Sequence, residues 1–213
     1  MTNHRLITKL VDDAETSSTD SFNVTRSGYK TILFLLIYLV TTITAFGLRD
    51  DWLQQIHELT YLLEMLCSVV LIFGAGVTAI NFSVPRKMGY SASQLLPILA
   101  VAMGLMIWVL GDVNSSVFFT SIQTFSLSYM SLGVMVGALP AVGFLFYQIS
   151  QGAPTQLNFV GSMILLSASA TGHLLMRTIG QAASFSDVLV WCYFPILILT
   201  LLGLISGRNF LRW

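Results

Sequence analysis

Three ionisable side chains stand inside otherwise apolar runs, and their types and spacing are the first chemistry in this sequence. Glu64 lies in "TYLLEMLCSVVLIF", near the start of its run, and His173 and Arg177 lie four residues apart in "GHLLMRT". On a helix, residues four apart share a face. An ionisable group within a membrane span costs about 2.5–3.5 kcal/mol at midplane, so it is expected to face a partner or the bundle interior. A Glu64–Arg177 or Glu64–His173 pair that fixes helix packing is one reading. Arg177 is also close enough to the end of its run for its head to reach water. A second reading is a sensor: Cys67 follows Glu64 by three residues, and Cys192 lies at a comparable depth in the last run. Glu64, Cys67, His173, Arg177 and Cys192 then form a shallow cluster able to bind a soft metal or to oxidise. Cysteines in apolar runs are far more commonly small buried hydrophobes, and both read that way here. A third reading puts Glu64, His173 and Arg177 around the outer vestibule of a small transporter or channel subunit. The inner halves of the runs are nearly free of ionisable groups, which argues against a proton path across.

The elements that must position these groups follow from composition. Hydrophobic residues make up 55% of the 213, and charged ones only 9%. Soluble domains carry roughly 25% charged residues, so most of this chain is expected to have lipid as its solvent. About 20 mostly apolar residues span a bilayer. Six stretches qualify: 31–48, 60–82, 95–110, 124–149, 156–179 and 188–206. The expected fold is an all-α integral membrane protein, a compact antiparallel bundle of six transmembrane helices joined by short connections. Small-residue stretches, "FGAGVTA", "GVMVGALPAVG" and "GSMILLSASATG", are suited to close helix contacts. Pro140 and Pro195 are expected to kink the fourth and sixth helices.

Lysine and arginine set the orientation. Arg5, Lys9, Arg26, Lys30, Arg86, Lys87, Arg208 and Arg212 fall on one side, and Arg49 and Arg177 on the other. Both termini are therefore expected in the cytoplasm, with Trp213 as an interfacial anchor. The first outer loop, "LRDDWLQQIHEL" (48–59), reads as a solvated cap with Trp52 at the headgroups, or as a surface that meets a ligand or cation. The first thirty residues are largely polar and do not read as a signal peptide. This cytoplasmic leader (1–30) precedes the transmembrane domain (31–213). It carries an apolar stripe, Leu6, Ile7, Leu10 and Val11, flanked by Arg5, Lys9, Asp12 and Asp13. Such a short amphipathic helix is suited to a partner's groove.

Other classes are excluded or unsupported. Net charge is zero, so a direct nucleic-acid ligand is not expected. Two cysteines without CxxC or Cys/His spacing give neither a disulfide framework nor a structural metal site. No GxSxG, HExxH or Walker pattern occurs, so neither an enzyme nor a cofactor is expected.

Taken together, the pattern resembles the negative-regulator-of-sigma-F (NrsF-like) family of six-span bacterial membrane anti-sigma factors. The ending from Trp191 to "GRNFLRW" is similar to that family's closing "WY…GRRLLRW", and "GAPT" at 152–155 to its "R-x-AP" entry into the fifth helix. "LRDDW" (48–52) and "SVPRKMG" (83–89) resemble its loops after the first and second spans, and "MSLGVMVGALP" (130–140) its fourth. "HRLITKLVDD" looks like its leading helix. The resemblance implies a protein of the bacterial inner membrane whose leader holds an extracytoplasmic-function sigma factor and releases it on an outer-face signal. The family's cysteines near its fourth span and at the outer end of its fifth are replaced here by Leu127–Met130 and Ile179–Gly180. Thiol sensing is therefore not carried over to this chain.

Overall fold

Runs of apolar residues become helices because each backbone polar group then finds its partner within its own segment. The computed structural model of the chain describes residues 24–83, 129–152, 154, 156–180 and 188–211. Among these residues it contains six α-helices and no strand: α1 Val24–Phe46, α2 Trp52–Gln55, α3 Leu59–Asn81, α4 Tyr129–Ser150, α5 Leu157–Ile179 and α6 Phe194–Phe210. A π-helical turn, Leu189–Tyr193, leads into α6. Five segments, all but α2, are long and apolar enough to cross a membrane. Hydroxyls inside them fold back on their own helices: Thr31 donates to the Ser27 carbonyl, Ser68 to Glu64 and Thr171 to Ser167. This is how a small polar side chain is satisfied away from water.

The helix extents differ from the apolar extents. α1 begins at Val24 rather than 31, because Arg26 and Lys30 are good helix formers and their stems tolerate the boundary. The last helix continues past 206 to Phe210. Pro195 occupies the first turn of α6, where no N–H is required, and the departure from regular helix is the π-helical turn before it. The expected span 95–110 and residues 1–23 of the leader lie outside the described residues, while residues 24–30 of the leader belong to α1.

α5 is the hub. Most of its residues are buried, whereas α1 has few buried residues, among them Ser27, Thr31 and Leu35. α5 packs chiefly on α6, α4 and α3, and small residues set each contact. Against α3, the Ser167 hydroxyl donates to the Ile72 carbonyl at 2.7 Å, and Gly76 lies over that same hydroxyl. Against α4, a Cβ at Gly137 would meet the Gly172 Cα at 3.3 Å. Against α6, a Cβ at Gly161 would stand 2.5 Å from both the Gly203 carbonyl oxygen and the Gly207 Cα. Such distances are closed to any side chain, so the α5–α6 crossing depends on these three glycines.

On the other flank, Pro140 lies inside α4 and leaves the Val136 carbonyl without its helical donor. The Tyr38 hydroxyl of α1 donates to the adjacent Gly137 carbonyl at 2.8 Å. Phe34 stacks on Phe144 at 3.9 Å, and the Ser27 hydroxyl donates to buried Gln148 at 3.0 Å, which fastens α1 to α4.

The glycines separate into two kinds, which makes a paired test. Gly161→Ala is expected to destabilise by about 1–3 kcal/mol, because the new methyl meets backbone that must move. Gly143 in α4 has nothing within 4 Å of an added Cβ. Gly143→Ala is expected to be neutral or to stabilise by up to about 1 kcal/mol through helix propensity. Thermal unfolding of the two variants in lipid discs measures the difference; equal midpoints would remove the glycine crossing as a determinant of the fold.

Candidate functional site

α3 presents Tyr61, Glu64, Cys67 and Ser68 on one buried face. α5 presents His173 and Arg177, one turn apart, on the face opposite. Because α3 and α5 are held close by their small residues, these groups meet. Arg177 Nη2 donates to Glu64 Oε2 at 2.8 Å. His173 Nε2 stands 3.0 Å from Glu64 Oε1, a close approach whose direction misses a hydrogen bond. Glu64 and His173 are each 1% exposed and Arg177 8%. The carboxylate thus bridges two basic side chains on the neighbouring helix.

Aromatic rings close the sides. The Arg177 guanidinium lies 5.0 Å from the centre of the Tyr61 ring, and the Tyr61 hydroxyl donates to the Arg177 carbonyl at 3.2 Å. Tyr193, from the π-helical turn, meets the His173 ring edge-on at 5.0 Å. A desolvated cation over an aromatic face is a favourable contact that helps Arg177 tolerate its burial.

The loop between α1 and α3 covers this end. The backbone N–H of Arg49 donates to the Thr178 carbonyl at 3.2 Å, satisfying one of the last carbonyls of α5. Its side chain, 6% exposed, pairs with Asp51, with Nη2 2.6 Å from Oδ2. The Arg49 guanidinium holds the Asp51 carboxyl below its ordinary 3.8. What the pair contributes is therefore fully present above about pH 3.8 and is lost only as pH falls through the lower folded value. Asp50, His57 and Glu58 are exposed and Trp52 is half-buried, as a solvated cap requires.

One further property marks this end. Among the described residues, the buried side-chain nitrogens and oxygens without a hydrogen-bond partner are Arg49 Nη1, Glu64 Oε1, His173 Nδ1 and Nε2, and Arg177 Nε. All of them belong to the cluster or to the arginine that covers it. Buried polar groups are unfavourable unless hydrogen-bonded, so among the described residues this end of the bundle is the least satisfied.

Several expectations meet this geometry directly. Arg177 is turned inward onto Glu64 rather than reaching for the boundary, because a buried carboxylate within 3 Å is a better partner than a longer path to water. An open vestibule around Glu64, His173 and Arg177 is not what these residues form, since all three are buried. Cys67 and Cys192 are buried free thiols. Among the described residues no three His, Cys, Asp or Glu side chains gather to hold a metal ion. Arg5, Leu6, Ile7, Lys9, Leu10, Val11, Asp12 and Asp13 lie outside the described residues, as does Leu127. Sequence reasoning missed Arg49 as the cap of α5, Tyr61 as the ring under Arg177, and Tyr193 against His173. Only Tyr61, three residues before Glu64 and so on its face, left a signal.

The family described as NrsF, negative regulator of sigma F, matches residues 10–213, nearly the whole chain. No curated protein and no solved structure matches.

Removing one partner of a buried pair leaves an uncompensated charge, at a cost of about 3–5 kcal/mol. Glu64→Gln and Arg177→Met are each expected to lower stability on that scale, and the double variant to lose less than their sum. A double-mutant cycle from thermal unfolding measures the coupling; strictly additive losses would show that the bridge is not an energetic unit.

Proposed function

We propose, for a chain that belongs to the negative regulator of sigma F family, a mechanism in which a cytoplasmic leader sequesters the sigma factor and a membrane bundle controls its release. Family membership implies a negative regulator of a sigma factor, a regulatory role rather than a catalytic one. The finer reading is a six-span protein of the bacterial inner membrane with both termini in the cytoplasm. Residues 31–213 form the transmembrane domain, and 1–30 the leader that binds an extracytoplasmic-function sigma factor. The five long apolar helices support the membrane reading. The lysine and arginine distribution supports the orientation.

One observation carries the proposal. The family match extends from residue 10 to residue 213, and so takes in Leu10, Val11, Asp12 and Asp13 together with the bundle. This supports reading arm and membrane domain as parts of one regulator. In this reading Leu6, Ile7, Leu10 and Val11 supply the apolar contact, and Arg5, Lys9, Asp12 and Asp13 its register. Burying such side chains contributes about 1.5–3 kcal/mol each before ordering costs, enough for micromolar binding when several act together. In this orientation the Glu64–His173–Arg177 cluster lies at the outer end of the bundle, where it serves as the sensor or as the packing element that the signal disturbs.

Leu10→Asp places a charge in the stripe without touching the bundle. Full-length protein in lipid discs is expected to bind its sigma factor with micromolar affinity or better by calorimetry, and the variant to lose at least about tenfold. A sigma-dependent reporter should rise in parallel while membrane insertion stays normal. Undiminished repression by Leu10→Asp would discard the stripe as the sequestering surface.

A further inference from the structure

We propose that Glu64, His173 and Arg177, with Arg49 closing over them, form a latch between α3 and α5 that a proton arriving from the outer side opens. The inference rests on the membrane reading for the direction of the proton, and on geometry for the latch itself.

The closed cluster is balanced by one negative and one positive charge, Glu64 and Arg177, in contact at 2.8 Å. His173 adjoins the same carboxylate at 3.0 Å and is 1% exposed. Around the three stand Tyr61 and Cys67 from α3, Cys192 and Tyr193 from the π-helical turn, and Arg49 and Asp51 from the loop. The Arg49–Asp51 pair is itself neutral in sum. α4 has no charged residue, and the charged residues of α1 and α6 (Arg26, Lys30 and Arg208) lie at their opposite ends. Asp51 also faces Arg177, and Glu58 faces Arg49, but both stand on the loop with access to water; among the described residues no second carboxylate is buried with the cluster.

A proton on His173 gives this buried group a net positive charge, which a low-dielectric surrounding disfavours. The proton is accommodated where water reaches the ring, which requires the outer ends of α3 and α5 to part. Acid therefore favours the parted state. The unpartnered atoms reduce the free-energy cost of that state: Arg49 Nη1, Arg177 Nε and His173 Nδ1 have no hydrogen-bond partner to lose and gain water on opening. Tyr193, edge-on to His173, links the movement to the π-helical turn and hence to α6. A hydrated histidine titrates near 6.5. By linkage, one added proton shifts the opening equilibrium by up to about tenfold per pH unit below that value. The Arg49–Asp51 pair stays ionised throughout this window and does not contribute to the slope.

The test is amide hydrogen exchange of the full-length protein in lipid discs from pH 8 to pH 5, corrected for intrinsic exchange, read on segments 59–66 and 172–180. Protection of both segments is expected to fall by up to about tenfold per unit below pH 6.5. His173→Gln should flatten that dependence, and His57→Gln, which changes an exposed loop histidine, should leave it intact. PH-independent protection in the wild type, a slope that survives in His173→Gln, or one abolished by His57→Gln would each overturn the latch. If His173→Gln does not fold, the wild-type profile and His57→Gln still decide between these outcomes. Exchange reads helix parting whether or not a sigma factor binds, so failure of the latch and failure of the sequestration reading are distinguishable.

Discussion

An arginine and a histidine on the most buried helix of the bundle have to find a carboxylate, and the contact with Glu64 is the constraint on which the rest of the arrangement depends. A buried charge without its partner costs about 3–5 kcal/mol, as much as a large cavity in the core. Glu64 therefore fixes the rotation of α3, because its face must turn to α5, and the depth of α3, because it must stand level with both His173 and Arg177. Once that register is set, Ser167 falls opposite the Ile72 carbonyl and Gly76 opposite Ser167. The ionic contact specifies register, and the small residues specify distance. Neither does both.

α5 divides along its length into two kinds of interface. Its end near Arg177 is polar, covered by a loop, and leaves buried atoms unpaired. Its other end is a backbone contact, where Gly161 meets Gly203 and Gly207. At the first, water would offer partners to atoms that have none in the closed form. The second has no such compensation, because separating two glycine-packed helices only loses dispersion contacts. A helix held firmly at one end and loosely at the other behaves as a lever rather than as a hinge. That asymmetry is what the proposed release mechanism requires of α5.

Much of this was legible in the sequence, and what was hidden has physical reasons. Glu64 stood out because a carboxylate in an apolar run demands a partner, and the i, i+4 spacing of His173 and Arg177 put both candidates on one face. The small-residue stretches marked where helices approach. Apolar extent misjudged helix extent at α1, because composition reports where lipid is tolerated while hydrogen bonding decides where a helix starts. The pairing of Gly161 with Gly203 and Gly207 escaped notice because close approach is a property of two helices, and only one was read at a time. As a sequence feature Arg49 is a topological charge and part of a polar outer loop; its N–H on the Thr178 carbonyl belongs to a contact across more than a hundred residues, which no local pattern encodes. Tyr193 lies in a π-helical turn, where 3.6-residue periodicity fails.

The covering loop completes the argument about how such a site stays shut without being rigid. Arg49 does not contact Glu64; it binds a carbonyl at the end of α5 and balances its own charge with Asp51. The cover therefore balances most of its charge internally: Asp51 is hydrogen-bonded to Arg49 and feels Arg177 only as a more distant charge. A lid that instead supplied the counterion to Arg177 would be drawn tighter whenever the cluster gained positive charge, and would resist the opening that the charge demands. Keeping the cover neutral leaves the balance between Glu64, His173 and Arg177 as the variable on which opening of this end depends.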